Sequence, residues 1–208
     1  MTDMAQRSGA AAALVDGGFT QPVFEAQAVF RGVMDAMGRP GTVQRIATKT
    51  MAPAPLDSLA ASIILTLCDQ DTSIWLDAAL GADHAVGAWI GFHTSASITS
   101  HCGSAAFAIV TDPATMPRLS EFALGTQEYP DRSTTLIIAL EALDGGKSYT
   151  LSGPGIETAA SLAPSPLPTD FHDQWLANGA AFPRGVDIIL VAPEGIVALP
   201  RTTRLKAS

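Results

Sequence analysis

Behind Thr20 and Pro22, the apolar residues Ala26, Phe30, Val33, Met34 and Met37 recur three and four positions apart, the spacing of one face of a helix. Thr20 is the expected N-cap and Pro22 a first-turn residue whose missing N–H is no loss there. Gly38 ends this helix and Arg39-Pro40-Gly41 makes the exit turn, because the residue before proline leaves the helical region and glycine accepts positive φ. After Pro53 and Pro55, a second helix is marked by Leu56, Leu59, Ala60, Ile63 and Leu67, with Asp57 placed for its N-terminal dipole.

Short runs rich in β-branched residues predict strands over 42–46, 73–76, 97–100, 107–110, 135–140 and 147–152, and weaker helical patterns fall around 83–91, 117–124 and 169–177. Near the C-terminus two apolar runs, 186–191 and 196–199, flank Ala192-Pro193-Glu194-Gly195 and read as a hairpin. Asp144-Gly145-Gly146 reads as a second turn between antiparallel strands. Pro164, Pro166 and Pro168 make 162–169 an extended linker. Alternating helices and strands place the chain in the α/β class, with a mixed sheet flanked by helices. Residues 1–18 carry no helical or strand period and are expected to form a flexible N-terminal extension, leaving 19–208 as a single α/β domain.

Composition narrows the function. Of 208 residues 47% are hydrophobic and only 15% charged, a surplus that points to apolar surface covered by another subunit. A net charge of -8 with 12 Lys and Arg in all argues against nucleic acid, whose phosphates are held by clustered cations. The apolar run from Leu59 to Cys68 is broken by Ser62 and Thr66 and falls short of the roughly 18 residues a membrane span needs. The N-terminus lacks the charge and length of a signal peptide, so a cytoplasmic location is expected. Cys68 and Cys102 are too few for a disulfide framework or a cysteine metal cluster and are expected to be reduced core residues.

Candidate chemistry is sparse. Arg201, Thr202 and Thr203 follow the last strand of the hairpin, either as a donor cluster for an anion or partner or as a solvated strand end. Asp69 and Asp71, with Thr72, lie between the second helix and a strand, where two carboxylates either approach Mg²⁺ or simply turn the chain. His84, His93, His101 and His172 show no zinc spacing, so no metal site is expected. His93 can offer a hydrogen-bonding imidazole or sit half-buried. Gly153 and Gly155 follow a strand, either bringing backbone amides close to a ligand or neighbouring subunit or making a plain turn. Gly145-Gly146-Lys147-Ser148 ends like a phosphate loop, yet Glu141 stands where its first glycine belongs. No nucleophile elbow is present, and Lys49, Lys147 and Lys206 are poor Schiff-base candidates, Lys206 being expected at a frayed end.

Six motifs occur in order: Phe30-Arg31-x-x-Met34-x-x-Met37-x-x-Pro40-Gly41, Leu65-Thr66-Leu67-x-Asp69-x-Asp71-Thr72-x-x-Trp75-Leu76, Phe92-His93-Thr94, Leu151-x-Gly153-x-Gly155-Ile156, Phe182-Pro183-x-Gly185-x-Asp187 and Pro200-Arg201-Thr202-Thr203. Together they resemble the H subunit of bacterial carbon-phosphorus lyase, the PhnH family, over about residues 19 to 205. The resemblance implies phosphonate catabolism. It implies a subunit, structural or ligand-organising, of a core complex whose G, H and I subunits, aided by L, replace the adenine of ATP by an alkylphosphonate to give a ribose 1-alkylphosphonate 5-triphosphate. It implies a reduced type I pyridoxal-phosphate transferase fold without the cofactor or its lysine, no cofactor of its own, G-, I- and J-type partners, and a homodimer when alone. Candidate ligand or subunit contacts on these motifs are Arg31, Asp69, Asp71, Thr72, His93, Gly153, Gly155, Arg201, Thr202 and Thr203. Two cysteines cannot hold an iron-sulfur radical centre, so bond cleavage falls to another subunit. The alternative is a self-sufficient α/β enzyme or binding protein for a small phosphorylated anion, built on Arg31, Asp69, Asp71 and Arg201.

Overall fold

The computed structural model describes residues 16–82 and 84–207. The flexible extension expected for residues 1–15 lies outside these, as does Asp83. At Asp16 and Gly17 the backbone is tied down: the Trp89 indole N–H donates to the Asp16 carbonyl at 3.1 Å and the Met51 amide to the Gly17 carbonyl at 2.9 Å. The extension expected to reach residue 18 is therefore anchored from Asp16 onward.

Helix α1 spans Pro22–Gly38, but Thr20 does not cap it. Instead the Glu25 carboxylate reaches back, accepting from the Gln21 amide at 2.6 Å and from the Thr20 hydroxyl at 2.8 Å. Those bonds favour the charged form and hold Glu25 below the usual carboxylate range, the Gln21 amide contributing most. Helix α2, Ser58–Leu67, has Asp57 at its N-terminus as expected, and there the carboxylate caps the helix, accepting from the amides of Leu59 at 2.8 Å and Ala60 at 3.0 Å. The chain then runs through β1 (Ser73–Leu76), a single turn α3 (Ala78–Gly81), α4 (His84–Thr94), β2 (Ser97–Thr99), β3 (Phe107–Val110), β4 (Thr135–Ala139), β5 (Tyr149–Ser152), β6 (Ala160–Leu162), α5 (Phe171–Ala180), β7 (Asp187–Ala192), β8 (Gly195–Leu199) and β9 (Arg204–Ala207).

Six strands form one sheet in the order β2-β1-β3-β4-β7-β8, parallel from β2 to β7 and antiparallel only at β8. The chain is thus α/β with a mixed sheet, and the predicted hairpin is β7 and β8. Register aligns Ile109, Ile137 and Ile189 across three strands. Successive residues point to opposite faces. Ile137 and Ile189 meet α1, α2 and α4 on one side, whereas Leu136, Ile138, Ile188 and Leu190 meet α5 and a small antiparallel sheet, β6-β5-β9, on the other. Burial on both faces explains why the central strands read as unbroken apolar runs.

Several expectations need correction. The segment 42–46 makes one bridge, Gln44 to Ile196, rather than a strand. Residues 117–124 contain only a 3-10 turn, Leu119–Glu121. There the Leu119 amide bonds the Gln174 side chain of α5 at 2.8 Å. Asp144-Gly145-Gly146 does not join paired strands, since β4 and β5 belong to different sheets; the Gly146 amide instead donates to Ala163 at 2.8 Å. Strands β6 and β9 escaped prediction, and Lys206, expected at a frayed end, pairs with Thr150. On α1 the buried residues are Val29, Val33 and Ala36, while Phe30 and Met34 of the predicted face stay exposed. No helix among the described residues is long and apolar enough to cross a membrane.

Candidate functional site

Open α/β sheets place ligands beyond the carboxyl ends of their strands, where the strand order reverses. Here that point lies between β1 and β3, and Asp77 occupies it. One carboxylate oxygen accepts from the Leu80 amide at 2.9 Å; the other accepts from the Thr111 amide at 2.6 Å, the Thr111 hydroxyl at 2.9 Å and the Asp112 amide at 3.0 Å. The carboxylate is buried and fully engaged, so it caps α3 and staples β1 to the end of β3. Sequence reasoning missed Asp77, whose only local signal was its place after an apolar strand.

Asp69, Asp71 and Thr72 form a self-contained turn. The Asp71 amide donates to the Asp69 carboxylate at 2.9 Å, the Asp69 amide to the Thr72 hydroxyl at 2.8 Å, and that hydroxyl to the Asp69 carbonyl at 2.7 Å. Among the described residues no three carboxylate, His or Cys side chains converge in a manner that could hold a metal ion. His93 packs its ring 4.6 Å from Trp89 and 5.1 Å from Phe92, beneath Gly18, where an added Cβ would stand 2.7 Å from the ring. Its Nε2 is buried without a hydrogen-bond partner among the described residues. Arg31 is exposed on α1.

The remaining candidates come together. Gly153 has φ +138°, and a Cβ there would lie 3.0 Å from the Thr202 carbonyl; Gly155, at φ +79°, would place one 2.2 Å from the Gly38 carbonyl at the end of α1. These glycines thus let the β5–β6 loop close against backbone of this same chain. Gly185 plays a similar part beside Asn178 of α5, whose side chain donates to the Val186 carbonyl at 3.0 Å and accepts from the Val186 amide at 2.8 Å.

Arg201 is not the available anion donor that its position promised. Its Nε donates to Asp187 at 3.1 Å, Nη1 to the carbonyls of Pro130 at 2.8 Å and Pro183 at 3.2 Å, and Nη2 to Ser133 and to the second Asp187 oxygen. All five guanidinium donors are engaged within the fold, and the side chain is only 12% exposed.

Next to it a cleft of about 470 Å³ opens between α5 and β9. Trp175, Leu176 and Phe182 give it an apolar wall, and Thr202, Thr203 and Arg204 supply polar groups. The Trp175 indole N–H donates to the Thr203 carbonyl at 2.8 Å, locking helix to strand. Thr203 is 2% exposed, and its hydroxyl has no partner among the described residues, a state that costs on the order of 1–3 kcal/mol for a buried polar group. None of Arg31, Asp69, Asp71, Thr72 or His93 lines this cleft. Strand β9 was missed, although Arg204, Leu205 and Lys206 alternate exposed, buried and exposed as a strand should.

Comparison with known proteins places this geometry. The family model described as bacterial phosphonate metabolism protein (PhnH) matches residues 17–206. The chain is 48% identical over 193 residues to the alpha-D-ribose 1-methylphosphonate 5-triphosphate synthase subunit PhnH of Rhizobium meliloti (strain 1021), covering 93% of this chain and 96% of that protein. A putative C-P lyase subunit protein, HtxG of Stutzerimonas stutzeri, is 34% identical over 82 residues, 39% of this chain and 42% of that one.

Proposed function

The chain belongs to the bacterial phosphonate metabolism protein (PhnH) family, and on that premise we propose that it is a subunit of the carbon-phosphorus lyase core complex. It contributes there to ribose 1-alkylphosphonate 5-triphosphate synthesis, the step in which alkylphosphonate replaces the adenine of ATP, as a structural or ligand-organising component. The observation that carries this reading is the 48% identity across nearly the full length of both chains. G-, I- and J-type subunits are its partners, ATP and alkylphosphonate the ligands met within the complex, and the cytoplasm its location. The chain forms one α/β domain akin to a reduced type I pyridoxal-phosphate transferase and self-associates when alone.

The surface agrees with a role in assembly. Val23, Phe30 and Met34 lie on one outward stripe of α1, 77%, 48% and 55% exposed, with Phe24 beside them at 70%. Large apolar side chains grouped in this way mark interaction surfaces. The alternative of a self-sufficient anion enzyme loses its proposed site, because Arg31, Asp69 and Asp71 do not share a cleft with Arg201, whose donors are already engaged.

Co-expression of the tagged chain with the G-, I- and J-type subunits tests the reading, with adenine release from ATP and methylphosphonate as readout. Co-purification, and activity lost when this chain is omitted, is the expected result. A chain that stays alone while the other subunits assemble and release adenine overturns it.

A further inference from the structure

We propose that two surface loops pinned by Arg201 form a second docking surface, separate from the α1 stripe, and that it takes an apolar, carboxylate-bearing segment of another core subunit. This rests on the subunit assignment above and adds where a partner is held. Nη1 of Arg201 donates to the Pro130 carbonyl at 2.8 Å and to the Pro183 carbonyl at 3.2 Å, so one largely buried guanidinium draws the two loops together. The residue before each proline is an exposed aromatic, Tyr129 at 52% and Phe182 at 61%. Both loops are held at their backbones. Leu124 bridges Ser133 at the base of the first, and the Gly185 amide donates to the Leu124 carbonyl at 2.9 Å, joining the second loop to it. At the tip the Tyr129 amide donates to the Thr126 hydroxyl at 3.0 Å, while the Tyr129 carbonyl accepts from the amides of Thr126 at 3.1 Å and Arg132 at 3.2 Å. Gly125, at φ +71°, permits that closure, since a Cβ there would stand 2.8 Å from the Pro130 carbonyl.

Aromatic anchors on fixed backbone lose little conformational freedom when a partner covers them, and Tyr and Arg are among the residues that carry most interface energy. The Arg132 guanidinium already stacks over the Tyr129 ring, 4.3 Å from its centre, which presents the pair as one unit. Leu176, exposed on α5, lines the same cleft as Phe182 and extends the apolar area. The occupant follows from charge. Arg132 and Arg184 are exposed in the two loops, Arg204 lines the cleft with Phe182, and among the described residues none of the three enters an ion pair. They outnumber the carboxylates of the first loop, Glu128 and Asp131, in a chain of net charge -8. Local positive charge around aromatic anchors fits a partner that brings carboxylates and apolar side chains together. Phe182 follows α5, which packs on the face of the six-stranded sheet opposite α1. With the α1 stripe on the other layer, the chain can then touch two partners at once, as a bridging subunit does.

The tagged full chain, co-expressed with the G-, I- and J-type subunits, is the assay. Tyr129→Ala and Phe182→Ala should each lower recovery of those subunits several-fold and together by about 10-fold or more, the scale of two interface anchors. Arg132→Glu combined with Arg184→Glu should lower it as well, and wild-type recovery should fall as salt rises. All four side chains are exposed, so the variants should keep the wild-type melting temperature, which separates lost docking from misfolding. Phe182→p-benzoylphenylalanine should, when the assembled complex is illuminated, give an adduct with another core subunit. Undiminished recovery of the double alanine variant overturns the proposal, and so do adducts formed only between two copies of this chain, which assign the surface to self-association. The subunit assignment stands in either case. A wild-type chain that recovers no other subunit overturns both.

Discussion

Arg201 closes on Asp187 across the end of the β7–β8 hairpin, its backbone amide 2.7 Å and its Nε 3.1 Å from the same carboxylate oxygen. Two of the ordered motifs, one ending at Asp187 and the other holding Arg201, are thus halves of one contact. Additional donation to Pro130, Pro183 and Ser133 ties the 130–133 segment to the hairpin.

Removal of one partner should therefore be costly. Arg201→Ala leaves a carboxylate that is only 22% exposed without its counter-ion, and a loss of about 2–4 kcal/mol is expected in urea unfolding, somewhat below the range for fully buried pairs. The double variant with Asp187→Ala should lose less than the sum of the single losses.

Gly155 and Gly145 share nearly the same φ, +79° and +80°, yet a Cβ at Gly155 meets the Gly38 carbonyl at 2.2 Å whereas one at Gly145 meets nothing within 4 Å. Both Ala variants bear the cost of positive φ, roughly 1 kcal/mol. Gly155→Ala must also displace the end of α1, so its melting temperature should fall well below that of Gly145→Ala.

At Asp77, substitution by Ala removes the acceptor of four hydrogen bonds at a position 3% exposed. A loss of about 2–4 kcal/mol is expected from the donors left without partners. Amide exchange should accelerate first at Leu80, Thr111 and Asp112.

Burial pushes the Cys68 thiol from 9.0 up to about 12 and raises the Tyr149 phenol as well. Both acids hold their protons longer in the folded state than in the unfolded chain, so stability is complete below pH 9 and falls as pH rises toward 12. Denaturation midpoints measured between about pH 8 and 10.5 should decline, and Cys68→Ala should flatten that decline. Cys68 should also resist alkylation until the chain unfolds.

Phe30→Asp and Met34→Asp place charge on the exposed stripe of α1. Stability should change by less than about 0.5 kcal/mol, as is usual for surface sites. Co-purification with the other core subunits should drop several-fold, and unchanged recovery would move the contact surface elsewhere.

What could be read from the chain follows the range of each signal. The place of Asp57 at the head of α2, the strand at 73–76, the closing hairpin and the ordered motifs are local patterns, and the structure and the family comparison bear them out. The 117–124 segment misled: it forms a single 3-10 turn whose Leu119 amide bonds Gln174 of α5, a partner distant in sequence. Arg201 misled for the same reason: a guanidinium at a strand end looks available until the positions of Asp187, Pro130, Pro183 and Ser133 are known.

The sequence alone determined the α/β class, most element positions and the family, because periodicity, capping and ordered motifs are carried by neighbouring residues. Tertiary structure decided which side of α1 is buried, that β5, β6 and β9 form a separate sheet, that Asp77 closes the switch point, and that the Arg201 donors are taken up within the fold. Those outcomes depend on which donors and apolar faces meet across long stretches of chain, and no local pattern encodes that meeting.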